Sequence, residues 1–486
     1  MIMRIKRRIY GIENELGVVM RYDDKVWGDV ALGRTLLIHK PNDTSVRPFT
    51  NPIRIWHTNG SCSYIDTGEH PEYASPECSF IKDAVLYAKA GELLMNRILC
   101  TPVNGARMML IKNNLGYDLE DAAAKSFGCH ENYLMHGLNL DDPAMTKRLI
   151  PFLITRQIMD GAGWWESDGT FLFSQRSLCM EDEVGNSTTN NRPLITKRDT
   201  LNDTGPMRRL HLILGDANIL DAACFLKLGT TSLVLSLIEA GCAPLIEYGP
   251  PILTMKRIAR NPDITVPQTQ QLQYGGKELS AFDVQTLYCE IARRELASAA
   301  FDSEEIRAEM YCVLDLWEQA LHALFRRDEQ WMIGRFDYAT KHYLAERVIK
   351  QRQLSSPSDI KALRKDIDLM YHNITDRTLQ NRMNIQWADR RMLTDKQIEK
   401  AVYFPPRNTR AGMRGLFVAS ILDMPMRVNT EIDWLHCTDA DLPESQRTAF
   451  IKDPFDTRNS DFIEFLLRSQ ALPHNQTLTH YMPCDG

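Results

Sequence analysis

Hydrophobic and polar positions alternate along residues 9–20, a period of two that predicts a strand. Glu13 and Glu15 stand two apart in it, so the strand would send both carboxylates to one face. The segment Ser63 to Thr67 has the same period and predicts a second strand, with Tyr64 and Asp66 on a shared face. Between them, Arg21 to Thr58 carries several Pro, Asn and Asp residues and reads as short elements joined by loops. After Ser75-Pro76 the period lengthens. Ile81, Val85, Ala88, Leu93 and Ile98 fall at helical spacing and predict a helix over 80–99, against the poor helix propensity of Gly91.

Residues 182–207 are polar and hold Gly185 and Gly205, which predicts loops around a site, and residues 208–213 return to a strand pattern. Asp302 followed by Glu305 is a helix-start signal, with Ile306, Met310, Val313, Leu314, Trp317 and Leu321 continuing an apolar face. That opens a helical region to about Met383. The pattern changes near Leu393, and Pro405, Pro406 and Asn408 interrupt it, which predicts a large unit over 1–393 and a small one over 394–486.

Composition narrows the function. The 486-residue chain is 44% hydrophobic with a net charge of −6, which gives no general pull toward nucleic acid or an anionic membrane. The best apolar runs, Leu149 to Ile154 and Leu233 to Ile238, fall far short of the ~20 residues of a membrane helix. Glu13 and Glu15 follow the basic N-terminus at once, leaving no apolar leader, so a cytoplasmic protein is expected. The 11 cysteines are scattered without a Cys-x-x-Cys pair and are expected to be reduced core thiols.

Neither a phosphate-loop nor a dinucleotide-binding glycine motif occurs, and Lys227-Leu-Gly-Thr-Thr has the right residue types in the wrong order. The densest polar collection is Glu13, Glu15, Tyr64, Asp66, Glu69, His70, Glu72 and Glu77. Oxygen-rich sets of this kind suit Mg²⁺ with substrate phosphates, while spacing alone favours solvated acids on strand faces and a loop. His130 and His211 offer metal or phosphate contacts, and Arg208 and Arg209 offer positive charge, although a lone histidine is more often structural. Cys129 beside His130 makes a poor nucleophile–base pair, because neighbours on a strand point apart.

Whole phrases then carry a resemblance: Gly11-Ile-Glu-Asn-Glu-Leu-Gly17, Asn59-Gly-Ser-Cys-Ser-Tyr-Ile-Asp66, His70-Pro-Glu-Tyr-Ala-Ser-Pro-Glu77 and Ser126-Phe-Gly-Cys-His-Glu-Asn-Tyr133. Lys112-Asn-Asn114, Leu153-Ile-Thr-Arg-Gln157, Ser174-Gln-Arg176, Arg208 to Asn218, Asp433-Trp-Leu-His436 and Lys452-Asp-Pro-Phe455 extend it in order. The chain resembles the Pup ligase and depupylase family, relatives of glutamine synthetase, and lies closer to the ligase branch.

The resemblance implies an α+β fold: a glutamine-synthetase-like curved antiparallel sheet forming a cradle, helices packed behind it, and a small C-terminal domain. It implies Mg²⁺ at Glu13, Tyr64 and Glu72, a catalytic carboxylate at Asp66, and nucleotide contacts at Ser75 and Trp434. From the residue reading, Glu15 and His130 join the metal set, and Arg198, Arg208, Arg209 and His211 the nucleotide set. The implied reaction uses ATP to phosphorylate the C-terminal Glu side chain of a Pup-like modifier, which a lysine of a target protein then attacks.

Two departures stand out. Cys62 replaces the arginine of the family phrase Asn-Gly-Ala-Arg, leaving Arg54 or Arg198 to substitute, and Thr196 to Asp203 differs from the family pattern. Gly215-Asp-Ala-Asn218 and Leu226 to Thr231 look more like the depupylase. Alternative activities on the same cradle are therefore depupylation or deamidation, Pup-independent phosphotransfer or ATP hydrolysis, and nucleotide binding without turnover.

Overall fold

The computed structural model describes residues 3–22, 25–28, 48–50, 54–66, 70–99, 107–116, 126–197, 207–268, 271–422 and 430–469. The expectations placed on Glu69, on Arg198 and on most of Thr196 to Asp203 lie outside the described residues.

A nine-stranded sheet organises the fold. In spatial order its strands are Asp182–Gly185, Pro193–Thr196, Met207–Leu212, Cys129–His136, Tyr10–Glu15, Pro71–Ala74, Cys62–Ile65, Arg54–Trp56 and Pro48–Thr50. Neighbours are antiparallel except the first two, so the expected antiparallel sheet ends in one parallel pair. That pair also corrects the expectation of loops over 182–207: Leu194 and Ile195 are buried, and Ile195 registers against Leu212, so a four-residue apolar core inside a polar segment suffices for a strand.

The sheet has two unlike faces. On strand Tyr10–Glu15, Tyr10 and Ile12 turn to the helices behind, where Tyr10 Oη bonds Ser232 Oγ at 2.8 Å, while Gly11, Glu13 and Glu15 turn to the open side. Helix Ile81–Leu99 packs on the same rear face. Gly91, which argued against that helix in the sequence, is required there: a Cβ at this position would lie 2.3 Å from the Tyr73 ring. Close approach to the sheet outweighs propensity.

Helix Asp221–Glu239 is the other rear support. Among the described residues it is long and apolar enough to cross a membrane, with mean hydropathy 1.4, and its residues are buried inside the fold. Its polar side chains are satisfied there: Lys227 Nζ donates to the Asp216 carbonyl at 2.7 Å, and Thr230 and Thr231 donate to carbonyls one turn back.

The helical region begins at Glu304, with its cap one residue beyond the expected start signal at Asp302. Ser303 caps helix Glu304–Arg326 by accepting from the Ile306 amide, and Asp302 is instead drawn to Arg4 Nε at 2.9 Å. A second, smaller core gathers Met413, Phe417, Val418, Ile432, Phe462 and Phe465 over Trp56 and Cys62, on the open side of the sheet. Helix Asp395–Tyr403 contributes Ile398, Ala401 and Val402 to the larger core. Glu77 fastens the smaller core to the sheet through Arg414 and, at 2.8 Å, Arg410 Nε. Each described cysteine is free, and most are buried.

Candidate active site

Cross-strand register explains why the acids meet. Directly paired residues share a face, so Arg54, Tyr64, Glu72 and Glu15 form one row across four strands. Glu13 and His130 begin a second row two residues along. Asp66 follows its strand directly. It is tied to His70, with the Asp66 amide donating to the His70 carbonyl at 3.1 Å and the His70 amide donating to Asp66 Oδ1 at 2.6 Å.

Glu13 meets two histidines, an arginine and an asparagine. Its Oε2 lies 3.2 Å from His130 Nδ1 and 3.6 Å from His211 Nε2, and its Oε1 accepts from Arg209 Nη2 at 3.1 Å and Asn132 Nδ2 at 3.2 Å. Burial alone would raise its pKa, but the His130 hydrogen bond and the Arg209 charge overcome that and hold it far below the usual range. Glu15 accepts from the Gly128 amide at 2.6 Å and lies 3.6 Å from His70 Nδ1. Against the same burial, its contacts with His70, His130 and Arg176 bring it to about 2.

Glu72 behaves oppositely. It is 3% exposed, and burial together with the negative charges of Glu13, Glu15 and Asp66 pushes its pKa well above the carboxylate range. Tyr64, half-buried beside it, is likewise raised by burial and by Glu72 and Glu13. The site therefore concentrates more negative charge than the cations among the described residues balance.

That imbalance fits a divalent cation. Ligand atoms of Glu13, His130 and His211 lie within 4.8 Å of one another, as do those of Glu15, Asp66 and His70. His130 Nε2 is buried without a hydrogen-bond partner among the described residues, 3.8 Å from Glu15 Oε1. Of these donors the carboxylates are the ones a hard divalent cation takes, with the imidazoles beside them.

Of the residues singled out in the sequence, Glu13, Glu15, Tyr64, Asp66, Glu72, His130, Arg209 and His211 come together. Arg208 does not: it projects from the opposite face to Arg209, as alternation demands, and its Nη1 is 3.4 Å from Asn139 Oδ1. Ser75 lies beside Gly11 with its hydroxyl committed, accepting from the Ile12 amide at 3.0 Å and donating to the Pro76 carbonyl at 3.2 Å. Trp434 meets Trp56 edge-on at 4.8 Å, with the Arg414 guanidinium 4.7 Å from its ring. Glu77 faces away toward Arg410 and Arg414.

Asn132, His70 and Gly128 matter more than the sequence suggested. Asn132 stands two residues after His130, a period-two signal that could have placed it on the same face. His70 bridges Asp66 and Glu15. Gly128 has no such signal: a Cβ there would lie 2.3 Å from His130 Nε2 and 2.9 Å from Glu15 Oε1, so the site needs its bare backbone.

Residues 8–438 match the family model described as Pup-ligase protein. The chain is 34% identical over 472 residues to the Pup–protein ligase of Acidimicrobium ferrooxidans, covering 93% of this chain and 96% of that protein. It is 32% identical over 471 residues to the Pup–protein ligase of Mycolicibacterium smegmatis, covering 93% and 97%. Among solved structures, the complex between the prokaryotic ubiquitin-like protein Pup and its ligase PafA matches with a TM-score of 0.78 at 28% identity, over 96% of this chain and 92% of that one. The Pup ligase PafA in complex with ADP matches with a TM-score of 0.71 at 29% identity, over 89% and 91%.

Proposed function

The chain belongs to the Pup-ligase family, and on that premise we propose that it uses ATP to activate a carboxylate and join it to an amine. The modifier is a Pup-like protein whose C-terminal Glu side chain is phosphorylated, and the acceptor is a lysine of a target protein. The solved relatives support the modifier and the nucleotide, one being bound to Pup and one to ADP. The observation that carries the reading is the crowding of Glu13, Glu15, Asp66 and Glu72 on one sheet face, which leaves Glu72 reluctant to ionise.

Glu13, Glu15, Tyr64, Glu72 and His130 would hold Mg²⁺, which when bound offsets charge on the phosphates. Arg209, 3.1 Å from Glu13, keeps that acid ionised and brings positive charge to the transferring phosphoryl group. Asp66 accepts the proton of the attacking amine, oriented by the hydrogen bond from the His70 amide. His211 lies against Glu13, and Trp434 lines the nucleotide end. We assign the cradle domain to residues 1–393 and a small C-terminal domain to residues 394–486, whose first helix joins the larger core through Ile398 and Val402 while Met413, Phe417 and Phe465 pack on Trp56 and Cys62.

The test is reconstitution. Purified protein, Mg-ATP, a Pup-like modifier ending in Glu and a lysine-bearing protein should yield ADP, phosphate and an isopeptide-linked product of summed mass less one water. Phosphate release with no change in modifier mass would sink the ligase reading. Cleavage of a preformed conjugate without ligation would replace it with depupylation.

A further inference from the structure

We propose that Arg54 anchors the non-transferred phosphates of the nucleotide, an inference that rests on the ATP-dependent reading above. Arg54 opens the row that runs through Tyr64 and Glu72 to Glu15, so its side chain leaves the sheet on the face that carries the acids. Its guanidinium lies over the Tyr64 ring, 5.3 Å from the centroid, and makes no ion pair among the described residues. Half-buried guanidinium without a carboxylate is an unusual arrangement, because desolvated charge is ordinarily matched.

Two guanidinium groups lie close enough to influence Cys62, which stands where the family phrase has arginine: Arg54 and Arg414. Arg414 is already engaged. It grips Glu77 through two nitrogens, donates to the Gly60 carbonyl at 2.9 Å and to the Trp434 carbonyl at 3.2 Å, and lies against Trp56. Cys62 itself is fully buried, and burial pushes its thiol up to about 12, so it supplies no charge. Arg54 is the guanidinium of the two that is left to meet an incoming anion.

Position selects which anion. Neighbouring strands are ~4.8 Å apart, so Arg54 stands about 10 Å of sheet from Glu72 and further from Glu15. The transferred phosphoryl group belongs with the acids, and the phosphates behind it reach back along the row over Tyr64 to Arg54. Trp434, partly accessible and in edge contact with the buried Trp56 two residues along the same strand, puts an aromatic ring at the far end. A polyphosphate followed by a nucleoside matches that sequence of partners, and a planar guanidinium fork suits phosphate oxygens.

The test is equilibrium binding of Mg-ATP, Mg-ADP and adenosine to the full-length protein and to Arg54→Met and Arg54→Lys, with thermal melting to confirm that each variant folds. For Arg54→Met we expect Mg-ATP and Mg-ADP to weaken by roughly ten- to a hundredfold while adenosine is unchanged, and for Arg54→Lys a smaller loss. Unchanged Mg-ATP affinity in a folded Arg54→Met would overturn the proposal and leave Arg54 as a prop for the Tyr64 ring. Equal weakening of adenosine would overturn the phosphate assignment. Wild-type protein that bound no Mg-ATP would remove the ATP-dependent reading itself, a failure distinct from the other two.

Discussion

Strand Cys129–His136 presents two kinds of polar chemistry, one on each face. Toward the helices, Glu131 is fully buried yet balanced: Arg156 grips both its oxygens, Tyr133 Oη donates at 2.6 Å, and the same arginine reaches Thr231 at 2.6 Å and Asp160 at 3.1 Å. Toward the open side, His130 and Asn132 look onto Glu13, beyond which Glu15 and Glu72 stand with too few cations among the described residues. A fold can bury charge when geometry satisfies it, and it does so behind the sheet. In front, the same backbone holds acids close that repel one another. Arrangements like that persist where a ligand completes them. The comparison predicts that rear-face changes cost stability, and front-face changes cost function while relaxing the fold.

The largest effect expected is on turnover. Asp66→Asn removes the proposed proton acceptor but keeps shape and the acceptor for the His70 amide. Ligation should fall by roughly 10²–10⁴-fold, the range of a general base, with Mg-ATP binding and melting temperature near wild type. Wild-type rates in single-turnover ligation by Asp66→Asn would strip Asp66 of the role and leave the front face with a purely electrostatic function.

Arg156→Met tests the rear face. Breaking a buried pair strands Glu131 without its counter-ion, a loss of about 3–5 kcal/mol in comparable cases. Chemical denaturation should show a large drop in midpoint, with no preferential effect on nucleotide affinity in whatever fraction remains folded. If Arg156→Met melted like wild type, the claim that this face owes its stability to matched charge would fail.

Much of this contrast was legible from alternation. Glu13 with Glu15, and Tyr64 with Asp66, follow from period two, and the phrase match assigned them to one cradle. What one sequence could not yield is register, which decides that Glu72 faces Glu15 and that Arg54 faces Tyr64. Arg208 and Arg209 are equivalent as neighbours in sequence, and only the pairing with Asn132 and its flanks sends one to Glu13 and the other to Asn139. Gly91 counted against a helix that does form, for a related reason. Its value lies in contact with Tyr73, an interaction far away in sequence that local propensity does not contain. The strands over 182–185 and 193–196 were hidden by polar flanks, since strands this short carry little periodic signal.

The smallest predicted effect separates the faces most sharply, because it reverses the usual sign. Glu72 has a folded-state pKa above its unfolded one, so its contribution to stability is fully present below the unfolded value and is lost as pH rises through the folded value. Metal-free protein should therefore become less stable as pH rises toward neutrality, and each tenfold bias toward the protonated acid is worth about 1.4 kcal/mol. Glu72→Gln takes the acid out of the balance. In chelator its melting temperature should equal or exceed wild type at pH 7, by about 2 °C or less in a chain this long, and the difference should shrink as pH falls toward 5. Glu13 and Glu15 carry the opposite sign: their depressed values stabilise the fold above the unfolded pKa and lose that effect only in acid, below the window of this measurement. Added Mg²⁺ should then stabilise wild type and leave Glu72→Gln little changed, since the variant lacks a ligand. A Glu72→Gln protein less stable than wild type in chelator, and equally stabilised by Mg²⁺, would show that the front face is held together by its acids rather than strained by them.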